Sequence, residues 1–242
     1  MFSMIKTLLW TCFLILIMLI WLIALPALLF AKYCLSKKIF VKMSLVARNL
    51  WGKTVVRSTG SKVSFSGYEN IPEGERICFV GNHQSNFDIP SFLGYSGQPV
   101  GFIAKKELFK IPILSQWMRI INCVFIDRSD PRSAIESFKK AAEVIKDGYP
   151  LIIFPEGTRS KSDAVGPFQA GALKLPIMAK AVIVPFAIKD SYKAFEINNR
   201  INAAHIKIKL LPPIFPDDPI YYGKGELAEH IREMIVKAKE EM

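Results

Sequence analysis

The sequence predicts an α/β fold, a largely parallel β-sheet flanked by helices, preceded by an N-terminal hydrophobic membrane helix. Three observations predict it: short apolar runs spaced along the chain, amphipathic helical patterns between them, and a charge-free stretch of 24 residues near the start. Apolar runs alternating with helical segments are the signature of βαβ units. The hydrophobic fraction of 51% and mean hydropathy of +0.25 are high for a purely soluble domain, and much of the excess is local.

The first element is the run Thr7 to Phe30, dominated by Leu, Ile, Trp and Phe. At about 1.5 Å per residue it reaches roughly 36 Å, enough to cross a hydrocarbon core of about 30 Å with some tilt. Pro26 allows a kinked helix that bends back within one leaflet. The run is longer than the apolar part of a secretory signal, and Leu29-Phe30-Ala31 is a poor cleavage site.

Behind it no Asp or Glu occurs before Glu69, while Lys32, Lys37, Lys38, Lys42, Arg48, Lys53, Arg57 and Lys62 accumulate; they account for much of the net charge of +11. Such a stretch beside a membrane helix attracts anionic head groups and belongs on the cytoplasmic side. Ile39, Met43, Val46, Leu50 and Trp51 recur at helical spacing, which predicts a second helix lying on the bilayer. Residues 1–60 therefore read as an anchor, with hydrophobic helix 7–30 and a basic amphipathic segment, and residues 61–242 as the folded domain. Without a nucleic-acid-binding motif, the basic charge points to lipid and not to nucleic acid.

The predicted strands are 62–65, 77–80, 100–104, 123–126, 151–154, 182–188 and 205–211. A helix at 131–147 has Asp130 to cap it, Pro131 in its first turn, an apolar face of Ile135, Phe138, Ala142 and Ile145, and Gly148 to close it. It would be the crossover between the strands at Cys123 and Leu151. A last helix at 225–240 places Leu227, Ile231, Met234, Ile235 and Ala238 on one side. His205 reads as an ordinary strand residue on a half-exposed edge, and His230 as solvated. The four cysteines lack paired spacing and read as thiols in a reducing compartment.

The strongest chemical signal is Asn82-His83-Gln84-Ser85-Asn86-Phe87-Asp88, directly behind a strand. A neutral imidazole can take a proton from a hydroxyl, and a carboxylate on its other nitrogen fixes the tautomer. The same residues also suit a plainer role, with Asp88 capping a helix from 89 to 95 and His83 as a turn residue. Ligands of an open parallel sheet bind beyond the carboxyl ends of its strands, so the segments after Val80, Ala104, Ile126 and Phe154 should share one crevice. Lys105, Lys106, Arg128 and Arg159 would then converge on it and suit an anionic acceptor. The segment Phe154 to Ser160 can equally be a turn with Glu156 and Arg159 as a solvated pair. No nucleophile elbow, Walker A loop or metal-ligand cluster is present in the sequence.

Four blocks now carry a family resemblance: Asn82 to Asp88, Val124-Phe125-Ile126-Asp127-Arg128, Phe154-Pro155-Glu156-Gly157-Thr158-Arg159-Ser160, and Val182-Ile183-Val184-Pro185. The chain resembles the membrane glycerolipid acyltransferases, most closely the 1-acylglycerol-3-phosphate acyltransferases, over roughly 64–213. The resemblance implies a glycerol-3-phosphate acyltransferase-like domain with His83 as general base and Asp88 as its orienting partner. It implies that Lys105, Arg128 and the block Glu156, Gly157, Thr158 and Arg159 hold the acceptor. The implied reaction moves an acyl group from acyl-CoA or acyl carrier protein to the sn-2 hydroxyl of lysophosphatidic acid, without cofactor or metal, at the cytoplasmic face of the cell membrane or another intracellular membrane. Glycerol 3-phosphate or another lysolipid is the alternative acceptor, and a non-catalytic lipid or acyl-carrier binding protein the alternative of another class. The chain departs from the pattern at Asn122, where the second block usually opens with Gly, and at Val182, where the fourth usually has Pro. Pro176 also falls inside an expected helix starting near Gly171.

Overall fold

In the computed structural model, which describes residues 2–127 and 130–242, all seven apolar runs form strands. They are β1 (Lys62–Ser66), β2 (Ile77–Gly81), β3 (Gly101–Lys105), β4 (Val124–Ile126), β5 (Leu151–Ile153), β6 (Val182–Lys189) and β7 (His205–Leu210). They build one sheet in the order β1-β7-β6-β2-β5-β3-β4. Every neighbouring pair is parallel except β6 with β7. β2 and β6 lie inside the sheet and are buried almost throughout, which is why they read as continuous apolar runs. β7 alternates because its two faces differ, yet it is no edge: β1 pairs along its outer side, and exposed His205 contacts Ser64 Oγ at 2.7 Å.

Successive β2 residues serve opposite cores. Ile77 and Phe79 pack with α1 (Phe2–Cys34), α2 (Lys37–Ser58), α3 (Asp88–Tyr95) and α4 (Pro112–Ile120). Cys78 and Val80 pack with α5 (Pro131–Lys146), α6 (Lys174–Ala179) and α7 (Lys224–Glu240). The period-2 geometry of a strand thus produces three layers. Burial in these cores pushes the Cys78 thiol well up and the Cys123 thiol to about 12.

Several elements differ from expectation. α1 extends beyond 7–30 at both ends and continues through Pro26. α4, nine residues long, is not among the predicted helices; Ser115, Met118 and Ile120 are its buried residues. In α5, Asp130 accepts the Arg132 N–H at 3.0 Å and Gly148 turns the chain at φ +82°, as predicted, but Ile135 is exposed and Ala141 joins Ala142 and Ile145 in the core. Pro176 is accommodated because a 3₁₀ turn (Ala170–Leu173) takes up the chain first, so Pro176 falls in the opening turn of α6, where an N–H has no acceptor within the helix.

α2 is two-faced. Ile39, Val46 and Leu50 stay exposed, whereas Phe40, Ala47, Val55 and Val56 enter the core. Arg48, expected among the head-group cations, is instead buried at 3% exposure, and desolvation lowers its pKa to about 10. The helix approaches α3 backbone to backbone: a Cβ on Gly52 would lie 2.4 Å from the Pro90 carbonyl oxygen and 2.6 Å from the Gly94 nitrogen. Gly52→Ala is expected to force this crossing apart at a cost of about 1–3 kcal/mol, read as a lower Tm of the detergent-solubilised protein. An unchanged Tm would mean that the crossing is loosely packed.

Candidate active site

His83 owes its place to the residue before it. The buried Asn82 amide accepts the Ile188 N–H at 2.8 Å and donates to the Ile188 carbonyl at 2.9 Å. It thereby extends the β2–β6 ladder by one side-chain rung after Gly81 and holds the next residue at the strand's carboxyl end. The imidazole then stacks on Phe154, with ring centroids 4.1 Å apart and 12° between planes, and Phe154 leans on Phe186.

Asp88 opens α3, but its side chain does not cap that helix; the N-cap position is Phe87. The carboxylate turns back on the preceding loop. Oδ2 accepts from His83 Nδ1 at 2.6 Å, from the Gln84 N–H at 2.7 Å and from the Ser85 N–H at 3.0 Å. Oδ1 accepts from Ser191 Oγ at 2.5 Å. The four donors thus satisfy both carboxylate oxygens, three at Oδ2 and one at Oδ1. With Nδ1–H donating to Asp88, the tautomer that results leaves Nε2 of His83 as a proton acceptor.

The loop after β5 is fastened to the loop after β2. Ser160 N–H donates to the His83 carbonyl at 2.8 Å and Lys161 N–H to the Gln84 carbonyl at 3.1 Å. Glu156 adds a side-chain tie, accepting the His83 N–H at 2.7 Å and the Gly166 N–H at 2.9 Å. Burial pushes the Glu156 carboxyl above the usual range, and these two N–H groups partly oppose that shift. Gly157, at φ +74°, makes the turn between them.

These ties place His83, Lys105, Gly157, Thr158 and Arg159 around one crevice of about 690 Å³. Lys161, which the motif reading did not single out, lines it as well. Glu156 is expected there too, but its oxygens are turned to backbone donors; it shapes the loop. Arg159 Nη1 pairs with Glu196 Oε1 at 2.7 Å, and Glu196 is 2% exposed. Arg128 lies outside the described residues. No carboxylate residue is among the described residues lining the crevice, so its charged rim is cationic. Ser191 and Glu196 escaped sequence reading because neither belongs to a motif or a periodic face.

Comparison with known proteins adds the following. A family profile described as "Acyltransferase" matches residues 62–189. A 1-acyl-sn-glycerol-3-phosphate acyltransferase of Cocos nucifera is 34% identical over 76% of this chain and 58% of its own. A chloroplastic protein of the same description from Brassica napus is 33% identical over 64% of this chain and 45% of its own, so the chain spans about half the length of these plant relatives. One from Borreliella burgdorferi is 30% identical over 75% of this chain and 73% of its own. The crystal structure of the 1-acyl-sn-glycerophosphate acyltransferase PlsC from Thermotoga maritima superposes with a TM-score of 0.83 at 28% identity, covering 99% of this chain and 97% of that one.

Glu156→Gln keeps one acceptor oxygen and turns an NH₂ group toward the other backbone N–H. Leaving that N–H unpaired is expected to cost about 1–3 kcal/mol. A lower Tm and faster amide exchange across 154–166 would record the loss; unchanged exchange would refute the bracing role.

Proposed function

We infer the activity from one premise: the chain belongs to the Acyltransferase family, whose profile spans more than half of it. We propose that it moves a fatty acyl group from acyl-CoA or acyl carrier protein to the sn-2 hydroxyl of 1-acyl-glycerol 3-phosphate, giving phosphatidic acid. The observation that carries this reading is the shared crevice, in which a histidine paired to a carboxylate faces the same space as an arginine and two lysines. A base for a hydroxyl beside a cationic rim suits an acceptor bearing both a free hydroxyl and a phosphate. The likeness to 1-acyl-sn-glycerol-3-phosphate acyltransferases favours the same acceptor.

In the proposed mechanism, the sn-2 oxygen attacks the thioester carbonyl while Nε2 of His83 takes its proton. The tetrahedral centre then collapses, the carbon–sulfur bond breaks, and the imidazolium returns the proton to the departing thiolate. General-base assistance of this kind contributes about 10²- to 10⁴-fold. Asp88 fixes the ring and stabilises the transient cation. Lys105, Arg159 and the turn at Gly157 and Thr158 hold the phosphate, with Arg128 as the further cation implied by the motif. Direct attack requires no acylated serine or cysteine.

A second, apolar cavity supports a lipid substrate. Trp21 of α1, Trp51 of α2 and Trp117 of α4 line it, and it shares Ile89 and Phe102 with the crevice wall. At about 60 Å³ it has room for part of an acyl chain, to which we assign it. Leu8, Leu9 and Ile23 of α1 and Ile39, Val46 and Leu50 of α2 are exposed, and we assign these apolar surfaces to the lipid on the cytoplasmic side of a membrane.

His83→Ala should lower transfer by at least about 10²-fold with fold and membrane association retained; near-normal turnover of lysophosphatidate and acyl-CoA would refute the base assignment. Arg159→Ala should raise the KM for lysophosphatidate about tenfold or more, the worth of a charge-assisted hydrogen bond, with little change in the thioester KM. Because this variant also strands the buried Glu196, the comparison is best made in a Glu196→Gln background. Equal effects on both substrates would remove the phosphate role.

A further inference from the structure

We propose that the segment after β6, residues 190–199, positions both chemical ends of the site: Ser191 locks the Asp88–His83 pair, and Glu196 holds Arg159. The inference rests on the acyl-transfer reading and adds two positioning residues that lie just beyond the family profile, which ends at residue 189.

Ser191 is fully buried, and its hydroxyl donates to Asp88 Oδ1 at 2.5 Å while its N–H donates to Gln84 Oε1 at 3.3 Å. The other three donors to Asp88 all fall on Oδ2. The last torsion of an aspartate is broad and roughly two-fold, so bonds at one oxygen leave the carboxylate free to rock. Ser191 anchors the second oxygen and keeps Oδ2 aimed at the imidazole. The chain reaches this position through Asp190, which adopts a left-handed conformation at φ +67°, a region that aspartate tolerates better than most residues.

Five residues on, Glu196 Oε1 accepts Arg159 Nη1 at 2.7 Å and the Asn86 N–H at 3.2 Å. Asn86 lies in the His83–Asp88 loop, so Glu196 ties the arginine to the segment that carries the base. One strap thus sets the separation between the proton acceptor and the anion site. Neither residue lines the crevice, so each acts through its partner.

The test uses the full chain in detergent with lysophosphatidate and acyl-CoA. Ser191→Thr and Ser191→Val have nearly the same shape and differ in the hydroxyl; Ser191→Ala, which only removes atoms, is compared with wild type should the larger residues fail to fold. The Val and Ala variants are expected to lose about tenfold in kcat with both KM values little changed, and Thr to restore it.

Glu196→Ala is expected to raise the lysophosphatidate KM about tenfold with the thioester KM unchanged, and Glu196→Gln, which keeps an acceptor oxygen, to raise it less. Matching kcat values for Thr and Val, or for Ala and wild type, would overturn the Ser191 role. An unchanged lysophosphatidate KM in Glu196→Ala, or an equal rise for both substrates, would overturn that of Glu196. A wild-type protein that transfers no acyl group would instead defeat the activity reading itself.

Discussion

The carboxylate of Asp88 is the point on which the site turns. A fully buried acid must be paired or supplied with donors, because its desolvation is otherwise prohibitive. Here the donors come from two parts of the chain: the imidazole and two backbone N–H groups of the loop after β2, and a hydroxyl from beyond β6. Satisfying the acid and orienting the imidazole are therefore one structural event. The loop cannot relax without stranding the charge, which gives an irregular segment the rigidity that helices and strands draw from their own ladders.

The neighbouring groups extend the same logic. Asn82 docks the loop to β6, Glu156 docks the β5 loop to it, and Glu196 docks Arg159 to it. All three side chains hold their partners through backbone N–H groups or a guanidinium. The charged residues beside the dyad thus divide into two kinds: those lining the crevice, which are cationic, and Glu156 and Glu196, whose carboxylates face the protein. That division leaves the acids out of the crevice rim and favours an anionic guest.

Much of this architecture was legible in the residues, and the exceptions have physical causes. β2, β5 and β6 are short runs rich in Val, Ile and Leu because both their faces are covered, and such runs stand out from polar surroundings. The dyad was legible because its two members lie five residues apart on one loop. The place of β7 inside the sheet was not, since alternation reports unequal faces and says nothing about which strand pairs alongside. Ile135 misled because helical periodicity defines a stripe but not its edges, and the core accepted the smaller Ala141 in its place. Arg48 misled because charge in a basic run signals a solvated face only when the helix turns that face outward. Ser191 and Glu196 act across 103 and 110 residues of chain, and only the folded sheet brings them to the loop.

The contacts of α1 bear on how it meets a bilayer. Its described 31-residue span would reach about 46 Å, long enough to cross. Yet it is fastened along its length: Trp10 donates to Ser58 at 2.7 Å, Trp21 packs edge-on against Trp117, and Lys32 donates to the Arg119 carbonyl at 3.3 Å. A perpendicular crossing would carry these partners, with the adjacent Arg57 and Arg119, into hydrocarbon, where each charge is costly. A helix laid along the surface of the bilayer avoids that penalty. Such a placement would immerse its exposed leucines and isoleucines in one leaflet and leave the α2 lysines at the head groups. In that posture the apolar cavity bordered by Trp21 would lie at the lipid boundary, beside the crevice in which the proposed acceptor would meet His83.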